Sequence, residues 1–120
     1  MTKILIIDDE QGIIDFMQMA LESRDYTVIS ALDGEDGLIA AQQESPDIIL
    51  LDVMMPGMDG FETCRRIKNN DLTKKIPVLF ISAKAQAADV ELGVSAGAED
   101  YIIKPFEMND LIGKIKKYVG

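Results

Sequence analysis

The chain has 120 residues, 48% of them hydrophobic, which fits one folded domain rather than a disordered segment. Its formal net charge of −9 disfavours direct binding to nucleic acid or to an anionic membrane, because both select basic surfaces. The absence of histidine excludes a histidine-based catalytic triad and a histidine zinc site. The sequence shows neither an apolar run of the ~20 residues that cross a bilayer nor a signal peptide. We therefore expect one soluble, cytoplasmic domain over residues 1–120.

Five short apolar segments alternate with five segments of helical periodicity. In chain order we predict strand 3–8, helix 11–23, strand 26–31, helix 35–43, strand 47–52, helix 60–69, strand 76–82, helix 86–95, strand 99–103 and helix 108–118. The third strand is continuously apolar inside, which is typical of a strand covered on both faces. This alternation predicts an α/β fold, a parallel sheet with helices on both faces.

Cys64 is the single cysteine of the chain, so an internal disulfide is impossible. Its position in the third helical segment favours a small apolar core residue over a nucleophile. A reducing compartment agrees with this cysteine usage.

Polar side chains close four of the five predicted strands. Each of them alone has an ordinary explanation as a strand end or a helix cap. In an open parallel sheet, however, the carboxyl ends of the strands form the edge where ligands bind. The residues that we expect to converge at this edge are Asp8, Asp9 and Glu10 at the end of the first strand, Asp52 at the end of the third, Ser82 at the end of the fourth and Lys104 at the end of the fifth.

The clustered carboxylates predict a site for a hard divalent cation. Carboxylates that lie close together raise each other's pKa, and a bound cation relieves that repulsion. Oxygen ligands without Cys or His suit Mg²⁺, Mn²⁺ or Ca²⁺, and Mg²⁺ commonly takes only one or two carboxylates. We expect Asp9 and Asp52 as direct Mg²⁺ ligands, Asp8 as a ligand through water, and the backbone carbonyl of Met54 as a further ligand.

The same edge has the groups that phosphoryl transfer to a carboxylate requires. Asp52 can act as a nucleophile and form an aspartyl-phosphate, and it needs no general base because it is ionised near pH 7. Such a transfer depends on neutralising the charge of the phosphoryl oxygens. We expect Mg²⁺, the Lys104 ammonium and the Ser82 hydroxyl to contact one of these oxygens each.

Residues 51–60 (LDVMMPGMDG), 97–101 (GAEDY) and 104–106 (KPF) resemble the signature segments of response-regulator receiver domains, the CheY-like family of two-component signalling. The resemblance extends over essentially the whole chain. It implies a flavodoxin-like receiver fold with strand order 2-1-3-4-5. It also implies a cis peptide bond between Lys104 and Pro105.

The resemblance further implies a phospho-acceptor switch rather than an enzyme that acts on other substrates. Asp52 would receive the phosphoryl group from a sensor histidine kinase or a phosphotransfer protein. Ser82 would be the switch hydroxyl, and Tyr101 the aromatic residue that moves inward with it; the alternative for Tyr101 is an ordinary half-buried strand residue. The signal would reach a downstream protein target through helix four, strand five and helix five.

Three other classes of protein compete with this interpretation. A phosphatase of the haloacid-dehalogenase type also uses an Asp nucleophile, but it requires a second Asp where this chain has Met54. A nucleotide- or flavin-binding domain requires a glycine-rich phosphate loop that the sequence lacks. A pseudo-receiver that only makes protein contacts has no use for the clustered acids.

Two further expectations concern the phosphorylated lifetime and the oligomeric state. Met54 and Lys84 lie two residues after Asp52 and Ser82, and we expect them to slow dephosphorylation unless both merely point to solvent. The fourth helix offers no basic residues for the dimer formed by one branch of the family, so we expect a monomer before phosphorylation. The remaining expectation is that a basic patch on helix five is a solvated face rather than a docking site; it consists of Lys114, Lys116 and Lys117.

Overall fold

In the computed structural model, residues 1–119 are described, and in this part of the chain five strands alternate with five helices. The elements are β1 (Lys3–Ile7), α1 (Gln11–Glu22), β2 (Thr27–Ala31), α2 (Gly34–Glu44), β3 (Ile48–Leu51), α3 (Gly60–Lys68), β4 (Val78–Ser82), α4 (Ala87–Ser95), β5 (Asp100–Ile103) and α5 (Met108–Val119). All ten predicted elements are present, and their ends differ from the predictions by at most two residues. None of the helices within residues 1–119 combines the length and the apolar character needed to cross a bilayer.

The strands form one sheet in the order β2-β1-β3-β4-β5, and every neighbouring pair is parallel. This is the order that the resemblance implied, so the predicted fold class is confirmed. Strand order reverses beside β1, where β2 lies on one side and β3 on the other. In open α/β sheets such a point marks the place where ligands bind.

Two apolar cores cover the two faces of the sheet. Alternate residues of a strand point to opposite faces, so Ile4 packs in the core that contains α1 and α5, whereas Leu5 packs in the core that contains α3. The two-sided burial explains why β3 is apolar at every position. Burying one such side chain contributes about 1.5–3 kcal/mol, and these cores hold the polar edge in place.

Side-chain caps and one glycine fix the loops beside the carboxyl edge of the sheet. The Asp59 carboxylate accepts a hydrogen bond from the Glu62 N–H at 2.9 Å and thereby begins α3. The Gly60 N–H donates to the carbonyl of Val53 at 2.9 Å. A Cβ atom on Gly60 would collide with the backbone oxygen of Asp52, so glycine is required for this close approach.

Helix α4 is the least embedded part of the architecture. Among its nine residues, all of which the structure describes, only Gly93 is buried, while Leu92 and Val94 are largely exposed. An element with few buried apolar contacts opens at low free energy relative to the core strands. The fold therefore combines a rigid sheet with one loosely held helix.

Cys64 is fully buried in the core beneath α3, and its Sγ lies 3.4 Å from the carbonyl oxygen of Ala96. Burial raises the pKa of the thiol to about 12. A pKa three units above the ordinary value of 9.0 corresponds to an about thousandfold smaller thiolate fraction near neutral pH.

We expect an aromatic disulfide reagent to label Cys64 in the native protein at least about a hundredfold more slowly than in the urea-unfolded chain. Equal labelling rates would contradict the placement of this residue.

Candidate functional site

Backbone hydrogen bonds at the carboxyl edge of the sheet continue the strand pairing by one residue and bring the predicted site residues together. The Asp8 N–H donates to the Ala31 carbonyl at 3.1 Å, and the Asp52 N–H donates to the Ile7 carbonyl at 3.0 Å. On the other side of β3, the Lys104 N–H donates to the carbonyl of Ser82 at 2.8 Å. Four residues from four different strand ends therefore lie at one edge: Asp8, Asp52, Ser82 and Lys104.

Three of these polar residues are buried, and burial is unusual for the two that are carboxylates. Asp8 is 4% exposed, Asp52 is 8% exposed and Ser82 is fully buried. The Lys104 Nζ lies 3.7 Å from Oδ2 of Asp8 and is the cation of the site. One ammonium does not balance the neighbouring carboxylates, so the edge has excess negative charge.

The electrostatic cost of this arrangement is visible in the pKa of two carboxyl groups. Burial, together with repulsion from Asp8, raises the pKa of Asp52 to about 6, against opposing contributions from Lys104 and from the backbone N–H groups of Met54 and Val53. Burial also raises the pKa of Asp8, although a 2.9 Å hydrogen bond from the backbone N–H of Glu10 lowers it in part.

The acidic group at the end of β1 fits a small divalent cation. Carboxylate oxygens of Asp8, Asp9 and Glu10 all lie within 4.8 Å of one another. These are hard oxygen ligands, the kind that Mg²⁺ prefers; one of the three residues is buried and two are exposed. Glu10 was noted in the sequence but not predicted as a ligand. Asp52 lies outside this set of three but close enough to Asp8 for its pKa to be raised by it. Metal ligation by all four predicted ligands stays a prediction: Asp8, Asp9, Asp52 and the carbonyl of Met54.

The predicted switch residues are connected through the backbone of Lys84. The Ser82 Oγ accepts a hydrogen bond from the Lys84 N–H at 3.1 Å, and the Tyr101 hydroxyl donates to the Lys84 carbonyl at 2.7 Å. Burial raises the pKa of Tyr101, so its hydroxyl stays protonated and acts as a donor. The sequence indicated a role only for the Lys84 side chain, which is exposed. No sequence signal marks this link, because it depends on the path of the loop.

Two smaller expectations concern the part of the chain that follows β5. The Lys104–Pro105 peptide bond is cis, as the resemblance implied. Lys114 of the predicted basic patch forms an ion pair with Asp100 at 3.0 Å, whereas Lys116 and Lys117 are exposed. One of the three charges of the predicted basic patch is therefore neutralised by an acidic neighbour.

Comparison with known proteins identifies the family to which this arrangement belongs. The family model for the response regulator receiver domain matches residues 4–116, and the chain belongs to this family. Receiver domains act in two-component systems and interact with histidine kinases or phosphotransfer proteins. The assignment decides against the phosphatase and the nucleotide- or flavin-binding alternatives.

Individual relatives agree with the family assignment. The chain is 42% identical over 116 residues to the response regulator ArlR of Staphylococcus saprophyticus, which covers 97% of this chain and 51% of that protein. It spans about half the length of the curated relatives it matches. The structure of the chemotaxis protein CheY4 of Vibrio cholerae superposes with a TM-score of 0.93, at 30% identity and 98% coverage of both chains.

A further solved structure is relevant to the acidic group. The receiver domain of the sensor histidine kinase PA1611 of Pseudomonas aeruginosa superposes with a TM-score of 0.92, at 28% identity, over 99% of this chain and 98% of that one. That domain has a magnesium ion coordinated in its active site cleft.

The raised pKa of Asp52 predicts how stability depends on pH in the presence of a chelator. The folded carboxyl takes up a proton near pH 6, whereas the unfolded carboxyl does so near 3.8, so the free energy of unfolding falls as the pH rises through 6. From this group we expect the protein to be more stable at pH 5 than at pH 7 by about 1 kcal/mol.

Urea titrations of the wild type and of Asp52→Asn at several pH values measure this contribution. All other carboxyl groups are common to both proteins, so the difference between the two curves isolates the site. We expect Asp52→Asn to be the more stable protein at pH 7 and to lose that advantage towards pH 5. A pH-independent difference would show that the Asp52 carboxyl is not perturbed.

Proposed function

We propose that this protein is a phospho-acceptor switch, which takes a phosphoryl group from a sensor histidine kinase or a phosphotransfer protein onto Asp52 in the presence of Mg²⁺. The observation that carries the proposal is the buried Asp52 carboxylate beside Asp8 and near the Lys104 ammonium. The family assignment supports the same conclusion.

Asp52 has the protonation state that a nucleophile needs. With a pKa of about 6, most of its carboxyl group is ionised at pH 7, and no histidine or other base has to remove a proton. One of its oxygens forms a bond to phosphorus while the bond between phosphorus and the donor's leaving atom breaks. The leaving group departs with that electron pair, and the product is an aspartyl-phosphate.

Two neighbours of Asp52 supply charge and hydrogen bonds to the transferred group. The Lys104 ammonium provides a positive charge at the same edge. The Ser82 Oγ accepts a hydrogen bond from the Lys84 N–H, and its hydroxyl also carries a proton that it can donate to a phosphoryl oxygen. Donation from Ser82 makes the position of the β4–α4 loop sensitive to phosphorylation.

The residues that would hold Mg²⁺ are the acids at the end of β1, together with Asp52 and the carbonyl of Met54. Their excess negative charge and their mutual proximity are the features that fit a divalent cation. When bound, the ion supplies positive charge that offsets repulsion among the carboxylates and the phosphoryl oxygens.

The change at Ser82 would reach the surface formed by α4, β5 and α5. Ser82, Lys84 and Tyr101 form a continuous hydrogen-bonded path from the site to β5. Helix α4 beside it is loosely held, so its position responds to small changes in free energy. We propose that this surface binds a downstream protein target, that the unphosphorylated protein is a monomer, and that it works in the cytoplasm.

A pseudo-receiver that serves only as a scaffold is the remaining alternative. It is disfavoured because two buried carboxyl groups with raised pKa values destabilise the folded state at neutral pH. A protein that only makes contacts gains nothing from this cost. Phosphorylation of Asp52 would give the buried carboxyl groups a use that offsets this loss of stability.

Incubation with acetyl phosphate and Mg²⁺, followed by intact-protein mass spectrometry, tests the proposal. We expect the wild type to gain the mass of one phosphoryl group, and Asp52→Asn to gain none. Asp71→Asn is a matched control, because Asp71 is a largely exposed surface carboxylate. A chelator should abolish labelling. Equal labelling of the wild type and Asp52→Asn would refute the site.

The side chains of Met54 and Lys84 are both exposed, which agrees with the alternative that they point to solvent rather than cover the site. The proposal of a long-lived phosphoryl group therefore rests on the chemistry of Met54 alone. A thioether does not orient an attacking water molecule by a strong hydrogen bond, so hydrolysis lacks one source of positioning. We expect a half-life well above seconds. Met54→Asn should shorten it by about fivefold, the equivalent of one hydrogen bond of about 1 kcal/mol.

The decay of the phosphorylated fraction after removal of acetyl phosphate measures this lifetime. Met19→Asn makes the same chemical change at an exposed position of α1 and should leave the lifetime unchanged. A wild-type half-life of seconds, or equal effects of the two substitutions, would contradict the role given to Met54.

A further inference from the structure

Gly93 of α4 lies directly against the aromatic residues below it. A Cβ atom built on Gly93 would lie 3.0 Å from Cδ2 of Tyr101 and 3.2 Å from Cδ2 of Phe80. Both distances are shorter than an ordinary van der Waals contact between carbon atoms. The missing side chain therefore leaves the room that the Tyr101 ring occupies.

The two rings differ in how firmly they are held. Phe80 is fully buried, and its ring centroid lies 5.3 Å from that of Phe61 in the core. Tyr101 is half-buried, with its ring 5.8 Å from Phe80, and its outer end is held by the hydrogen bond to the carbonyl of Lys84. A side chain added at Gly93 would therefore displace Tyr101 rather than Phe80.

We propose that Gly93 is a positioning residue that allows the Tyr101 ring to pack beside Phe80. By leaving its space empty, Gly93 allows the Tyr101 hydroxyl to reach Lys84, whose N–H in turn holds the Ser82 Oγ. The coupling between α4 and the phosphorylation site then depends on one missing methyl group. This role rests on the proposed function of Ser82 and Tyr101, because a coupling has a use only in a switch.

Substitution of glycine by alanine separates this role from ordinary helix propensity. Within a helix, alanine is favoured over glycine where space permits. Gly113 in α5 has open space around its Cβ position, so Gly113→Ala is the matched control. We expect Gly113→Ala to raise the urea midpoint of unfolding and Gly93→Ala to lower it.

A double variant tests whether the effect of Gly93→Ala passes through Tyr101. In a Tyr101→Ala background the obstructing ring is gone and Phe80 gains room, so Gly93→Ala should raise the midpoint, as Gly113→Ala does. An equal loss of stability in both backgrounds would overturn the proposal. If Gly93→Ala alone fails to fold, recovery of folding in the double variant is the required result, and its failure counts against the proposal.

A spectroscopic measurement reports the position of Tyr101 itself. In protein labelled with 3-fluorotyrosine, we expect Gly93→Ala to move the Tyr101 fluorine resonance towards its value in the unfolded chain, while Tyr26 and Tyr118 stay in place. The amide resonance of Lys84 should shift in the same variant, because its hydrogen bond to Ser82 loosens. Gly113→Ala should change neither signal. Unchanged Tyr101 and Lys84 signals in Gly93→Ala would refute the inference.

Phosphorylation measured on the same samples separates this inference from the proposed function. If the wild type takes up no phosphoryl group at Asp52, the proposed function fails, whatever the spectra show. If the wild type is phosphorylated but Gly93→Ala leaves the Tyr101 resonance unmoved, the proposed function stands and the role of Gly93 is wrong.

Discussion

The pairing of β1 with β3 is the constraint on which the site depends. Ile7 lies opposite Leu51 in this parallel pair, so the next residues along the two strands, Asp8 and Asp52, emerge side by side at the carboxyl edge. The apolar residues that precede them are buried on both faces of the sheet, and the carboxylates cannot move apart without disturbing two cores. Their raised pKa values are the consequence.

Hydrogen bonds link the carboxyl edge of the sheet, through the loop after β4, to Tyr101 on β5. The Ser82 hydroxyl is buried, and the group that holds it is a backbone N–H rather than another side chain. The carbonyl of the same residue, Lys84, receives the Tyr101 hydroxyl. A small displacement of this loop therefore changes the hydrogen bond of Ser82 beside the acidic cluster and that of Tyr101 on β5. Packed elements convert such shifts into discrete changes of arrangement.

The sequence was sufficient for the elements of the fold and for the residues at the strand ends. Apolar runs interrupted by acids, glycine and proline mark each boundary, and strands of a parallel sheet place their carboxyl ends together. The sequence was insufficient where two distant backbones meet. The close approach of Gly60 to Asp52, the contact of Gly93 with Tyr101 and the hydrogen bonds of Lys84 all depend on the tertiary path of loops and helices. Glycine and lysine carry no pattern that indicates such contacts.

The sparse burial of α4 separates the residues of this helix from the residues that stabilise the fold. Its outward residues, among them Leu92 and Val94, contribute little to either core, and surface substitutions usually change folding stability by less than about 0.5 kcal/mol. Recognition by a partner can therefore diversify on this helix while the sheet and its acidic edge keep their geometry. In the function that we propose, the residues of α4 that select a partner are therefore separate from the residues that determine the fold.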